Sequence, residues 1–129
     1  MRETYKNYFP LPNEIFSLNL CPGEIAVYSY LLYCEDRKTY QCYPSYKTIG
    51  QAVGMSTNTV QKYIYKLADK GFIEIESTNV ITKSGQKRNG SHRYMIRPIQ
   101  EVVELYHQRR LRKLEQDTTK SRIAREIAV

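Results

Sequence analysis

Residues 44–71 constrain the fold more than any other stretch. They read Pro-Ser-Tyr-Lys-Thr-Ile-Gly-Gln-Ala-Val-Gly-Met-Ser-Thr-Asn-Thr-Val-Gln-Lys-Tyr-Ile-Tyr-Lys-Leu-Ala-Asp-Lys-Gly. Ile49, Ala52 and Val53 recur at i, i+3, i+4, which predicts one apolar face on a short helix. Ser45 stands before it as an N-cap. Gly54 can adopt the left-handed conformation that stops this helix. Met55 is the one apolar residue of the turn and can plug the corner. Ser56 then caps a second helix, whose core face is Val60, Ile64 and Leu67 and which ends at Gly71.

The opposite face of that second helix carries Thr57, Asn58, Gln61, Lys62, Tyr65 and Lys66, with no acid until Asp69. Asn and Gln side chains can pair with the edge of adenine, Lys can reach guanine or phosphate, and a Thr methyl can meet thymine. A helix with this surface, held across a tight turn by a shorter one, is a helix-turn-helix arrangement. An ordinary helical hairpin with a polar outer face would read similarly, because Lys and Gln are also plain helix formers.

Charge narrows the choice. The formal net charge is +7, and the excess falls on residues 44–71 and on residues 77–97. The latter hold Lys83, Lys87, Arg88, Arg93 and Arg97 and no acid. Such a local excess attracts a polyanion.

The rest of the chain supplies a frame. Residues 1–12 predict an extended N-terminal arm: Pro10 and Pro12 exclude a helix interior, and Phe9 and Leu11 can lie on the core. Residues 13–17 can form one helical turn. Cys21-Pro22-Gly23-Glu24 opens a long helix with Ile25, Tyr28, Leu31 and Leu32 at helical spacing, widened by Ala26 and Val27. The charged run 35–38 ends it, and residues 39–43 form a linker or a short strand. After Gly71 the period becomes alternating. Phe72-Ile73-Glu74-Ile75-Glu76 and Arg93-Tyr94-Met95-Ile96 predict two antiparallel strands, with Val80-Ile81 extending the first. The polar tip between them carries Ser84-Gly85 and Asn89-Gly90 turn signals. Past Pro98, Ile99, Val102, Val103, Tyr106 and Leu114 form a helical stripe that can fold back or meet a second copy of the chain. Asp117-Thr118-Thr119 predict a break, with Ser121 capping a last short helix.

Apolar residues make up 41% of the chain, enough for a core. No run approaches membrane-span length, and residues 1–8 do not resemble a secretory signal. The expected location is therefore cytoplasmic, and nucleoid-associated for a DNA binder. Cys21, Cys34 and Cys42 are odd in number and irregular in spacing, which argues for free thiols. There is no phosphate-cradling glycine loop, metal-ligand cluster or nucleophile motif. We therefore expect no enzyme, cofactor or metal.

Residues 12–98 together resemble a winged helix-turn-helix domain. They are most similar to the domains at the start of replication initiators and replisome organisers of bacterial plasmids, phages and integrative elements. Cys21-Pro22-Gly23-Glu24 with Tyr28 and Leu31-Leu32, Pro44-Ser45, Ile49-Gly50, Gly54-Met55-Ser56, Thr59-Val60, and residues 67–73 carry the resemblance. It implies an α+β fold with a three-helix core and a β-hairpin wing at residues 13–98. Residues 99–129 would then be a C-terminal helical extension, dimerising or partly disordered.

The expected function is sequence-specific binding of double-stranded DNA, by a transcriptional regulator or an accessory replication factor of a mobile element or phage. The alternative is a protein–protein interaction adaptor built on the same fold. Thr57, Asn58, Gln61 and Lys62 are the expected base readers. Ser45, Lys47, Ser56, Tyr65, Lys66, Lys83, Lys87, Arg88 and Arg93 are the expected phosphate contacts. A homodimer would form through Ile99, Val102, Val103, Tyr106 and Leu114.

Overall fold

The change of hydrophobic period after Gly71 divides the molecule into a helical layer and a small sheet. A computed structural model describes residues 7–81 and 87–127, with the side chains of 77–91 outside that description. Pro10 and Pro12 keep the chain extended until Asn13–Phe16 forms a 3-10 turn and buries Ile15. Helix α1 (Pro22–Cys34) begins with its proline where the missing N–H has no helical partner to lose. The Cys21 N–H makes a long 3.5 Å contact with Glu24 Oε1. Strand β1 (Gln41–Cys42) is the short strand expected in the linker. Helices α2 (Tyr46–Val53) and α3 (Thr57–Asp69) follow, then strands β2 (Ile73–Ile81) and β3 (Lys87–Ile96), then helix α4 (Ile99–Ile127).

The sheet order is β1-β3-β2, with both pairings antiparallel. Ile73 lies opposite Ile96, and Ile75 opposite Tyr94. The core sits between this sheet and the three helices. Val27 and Leu31 come from α1, Ile49 from α2, Val60, Ile64 and Leu67 from α3, and Tyr94 from β3. Tyr28 meets Phe72 edge-on, with ring centroids 5.1 Å apart. Full burial of such side chains contributes about 1.5–3 kcal/mol each. The architecture is the winged-helix α+β fold with a C-terminal helical extension.

Four expectations need correction. Ala52 is exposed, and Gly50 takes its place on the buried face of α2. Phe9 packs on Tyr33, at 5.8 Å between centroids, while Leu11 does lie against the core. Helix α4 runs through Asp117-Thr118-Thr119 without a break, so Ser121 caps nothing. The Thr118 and Thr119 hydroxyls donate to the carbonyls of Leu114 and Glu115, each at 2.9 Å. That local bonding fits threonine into the helix despite its modest propensity.

The fourth correction concerns the apolar stripe. Val102 is buried in the chain's own core, and Ile99, Val103 and Tyr106 pack against it. Only Leu114 is left outside, with Leu111 exposed beside it. Folding back was the favoured outcome because Phe72 and the sheet present an apolar surface directly beside Pro98.

Candidate nucleic-acid interface

The turn between α2 and α3 is closed by two glycines. Gly54 ends α2 with φ 72°, in the left-handed region that a residue without Cβ adopts freely. Met55 N–H then donates back to the Gly50 carbonyl at 2.9 Å. A Cβ on Gly50 would lie 2.4 Å from the Met55 carbonyl oxygen, so the turn can fold this tightly only over glycine.

Both helices begin the same way. Ser45 accepts from the Thr48 N–H at 3.1 Å, and Ser56 from the Thr59 N–H at 3.3 Å. Each serine hydroxyl also meets the hydroxyl of that threonine at 2.9 Å. One hydrogen of each hydroxyl pair closes the contact, and the other remains free to point outward. Each helix start thus offers a hydroxyl donor beside unpaired backbone N–H groups, at the positive end of the helix dipole. Phosphate oxygens suit that environment.

Along α3, Thr57, Asn58, Gln61, Lys62, Tyr65 and Lys66 are all exposed, and Lys47 is exposed on α2. Val60, Ile64 and Leu67 point inward, so the polar face is held outward by the core. Lys62 and Lys66 each place Nζ 5.7 Å from the centroid of the Tyr63 ring. That ring rests on Gly23 of α1, where an added Cβ would come within 2.3 Å of it. The basic row of α3 therefore leans toward the start of α1, with a modest cation–π attraction holding it there.

The foot of the wing is less basic than the chain order suggests. Strand pairing puts Glu76 opposite Arg93, and the two form an ion pair. Arg97 pairs with Glu74 across the same strands. Counting residues 77–97 as acid-free misses these partners, because they lie on the other strand. Lys83 lies outside the described residues. Lys87 and Arg88 fall within β3, with side chains outside the description.

The sequence reading also missed an aromatic cluster under α3. Tyr46 of α2 lies 5.4 Å from His92 of β3 between ring centroids, and His92 lies 6.2 Å from Tyr94. The Tyr46 and Tyr94 hydroxyls are both out of water. Burial, and then the neighbouring Tyr46, push the Tyr94 hydroxyl far above the usual phenol range. Burial and the adjacent Tyr65 push Tyr46 up as well. These phenols stay neutral and tie α2, α3 and the wing strand together. The available signal was the count of twelve tyrosines in a chain with no tryptophan.

A second anchor holds the far end of α3. Lys70 Nζ lies 2.8 Å from Glu24 Oε2 and 3.0 Å from Oε1, and also donates to the Asn19 carbonyl at 3.1 Å. Glu24 is almost wholly buried. Burial alone would raise its carboxyl, but the hydrogen bond and charge of Lys70 outweigh that and hold it below 4.5. Arg109 of α4 donates to the Asp69 carbonyl at 2.6 Å, covering the C-terminal end of α3.

Among the described residues no group of three or more His, Cys, Asp and Glu side chains could hold a metal, and no helix is long and apolar enough to cross a membrane. The three thiols are free, and burial pushes that of Cys42 up to about 12.

Residues 18–73 match a family described as "Helix-turn-helix domain". No curated protein matches the chain. Among solved structures, it is similar to a possible transcriptional regulator from Methanosarcina mazei Go1, at 19% identity and a TM-score of 0.53, covering 81% of this chain and 82% of that one. A MarR family transcription regulator aligns at 17% identity with a TM-score of 0.46, and the alignment covers 81% of this chain and 61% of that chain. At 19% identity the first likeness shows the fold. The domain match and the geometry together show a helix-turn-helix set within a winged-helix fold.

Proposed function

We propose that the protein binds double-stranded DNA sequence-specifically on the nucleoid, as a transcriptional regulator or accessory replication factor of a mobile element or phage. The observation that carries the DNA reading is the exposed polar face of α3, free of acids before Asp69, beside two serine-capped helix starts. Thr57, Asn58, Gln61 and Lys62 read base edges in the major groove. Ser45, Lys47, Ser56, Tyr65 and Lys66 grip phosphates beside them, joined by Lys83, Lys87 and Arg88 of the wing. Arg93 is the weakest of the phosphate contacts, because Glu76 already holds it. The mobile-element assignment is supported by the resemblance of residues 12–98 to replication initiators. Dimerisation through the α4 stripe is not part of this reading, because four of its five residues serve the chain's own core.

The test is an anisotropy titration against duplex fragments at several salt concentrations. If Lys47, Lys66, Lys83, Lys87 and Arg88 all meet phosphate, log K should fall against log salt with a slope of about −4 to −5. Undetectable duplex binding at low salt would overturn the reading and favour a protein partner for the same face.

A further inference from the structure

Where α4 leaves the domain, it borders a cleft of about 540 Å³. The floor is apolar: Leu18, Phe72 and Val102 reach it from the core, and Tyr106 from α4. The rim is cationic, with Lys70, Arg109, Arg110 and Lys113 against the single acid Asp117. Two of these cations are committed elsewhere, Lys70 to Glu24 and Arg109 to the Asp69 carbonyl. Arg110 and Lys113 are exposed, and neither has an ion-pair partner among the described residues. An apolar floor of this size below two uncommitted cations matches a small molecule with an apolar body and one acid group.

A second copy of α4 fits the cleft poorly. Beyond Leu114 the next apolar side chain is Ile123, nine residues on, which at 3.6 residues per turn lies on the opposite face of the helix. The apolar strip is therefore too short for a helix-on-helix contact and long enough for one ring. We propose that this cleft binds small organic anions. The apolar body lies on Phe72 and Tyr106, and the carboxylate or sulfonate lies between Arg110 and Lys113. The ligand would touch the residues that fasten α3 to α4, since Lys70 and Arg109 line the same cleft.

The full chain is titrated with 8-anilinonaphthalene-1-sulfonate, read by fluorescence, with circular dichroism confirming that the protein stays folded. The expected result is saturable binding that 1-naphthoate displaces, while 1-naphthalenemethanol and inorganic phosphate each compete at least tenfold more weakly. Arg110→Glu with Lys113→Glu, and separately Leu114→Glu, each lower the probe's affinity at least tenfold. All three positions are exposed, so the fold should tolerate the changes. Equal competition by the neutral alcohol would overturn the proposal, and so would displacement by phosphate alone or unchanged binding in both variants. Sedimentation of a dimer that the double variant splits would also overturn it, by placing a second chain in the cleft.

Discussion

The α2–α3 pair and helix α4 are both helical and basic, yet they are held in opposite ways. In the pair, every local signal agrees with the tertiary one. Serine caps start both helices, glycine ends the first, and each buries a face at helical spacing. In α4, local signals and outcome part company. Its first turns are fixed by Val102 and the residues beside it, whereas residues 107–127 are exposed throughout. That outer half is helical with no core beneath it. Hydrogen bonds to base edges demand fixed geometry, so the base-reading role proposed for α3 requires a rigid support. The pair is braced by the Tyr46–Tyr94 cluster, which reaches α3 at Tyr65, and by Glu24 with Lys70 at the C-terminal end of α3.

Burial should separate the two regions most strongly. Ile64→Ala removes a wholly buried side chain of α3 and should cost about 2–5 kcal/mol in denaturant unfolding. Leu111→Ala on α4 should stay within about 0.5 kcal/mol. Equal losses would mean that the outer half of α4 packs on something, and the comparison would fail.

The Glu24–Lys70 anchor should come next. Glu24→Gln leaves Lys70 without its partner, at a cost of about 1–3 kcal/mol at neutral pH, less than for a fully buried pair because Lys70 reaches water. The folded carboxyl titrates below 4.5, so its stabilisation is present above pH 4.5 and is lost as pH falls through the folded value. The gap in Tm between the parent and Glu24→Gln should therefore be steady above pH 4.5 and narrow below it. A gap that widens on acidification would show that the carboxyl is raised rather than lowered.

That anchor also marks the boundary of what the residues reveal in order. Ser45, Gly54, Ser56 and the Val60–Ile64–Leu67 face act within a few positions of themselves, so the helical pair was legible from spacing alone. The alternation at 72–76 and 93–96 likewise exposed the wing strands. Partners far apart in the chain were not legible. Lys70 meets Glu24 across 46 positions, and Arg93 meets Glu76 only because the hairpin register brings them together. The buried face of α2 was assigned to Ala52 rather than Gly50, because the role of Gly50 is the space it leaves for the Met55 carbonyl. The threonines of α4 misled because propensity is a weak term beside side-chain to backbone bonding.

Base reading should affect DNA affinity by about the same amount as the anchor affects stability, but without touching the fold. Asn58→Ala or Gln61→Ala should each cost about 1–3 kcal/mol on the preferred site and much less on random duplex. Lys66→Ala should weaken both equally and flatten the salt dependence. The ratio of specific to random affinity, measured beside thermal melts, decides the matter. An unchanged ratio in both amide variants would move base reading away from α3.

The smallest effect gives the sharpest contrast, because one substitution should change sign between the two regions. Ser45 and Ser56 each accept a backbone N–H that no helical carbonyl can reach, so Ser45→Ala and Ser56→Ala should each lose about 1 kcal/mol. Ser121 lies inside α4, where the backbone N–H groups already have helical partners. Alanine is the better residue in a helix interior, so Ser121→Ala should leave stability unchanged or raise it by up to about 0.5 kcal/mol. Glycine separates capping from propensity at the first two sites: Ser56→Gly should lose only a few tenths of a kcal/mol, because glycine exposes the unpaired N–H groups to water. Denaturant unfolding of the four variants reads all of this on one scale. A loss at Ser121 matching that at Ser56 would mean that a helix starts there after all, and that α4 is two helices in solution.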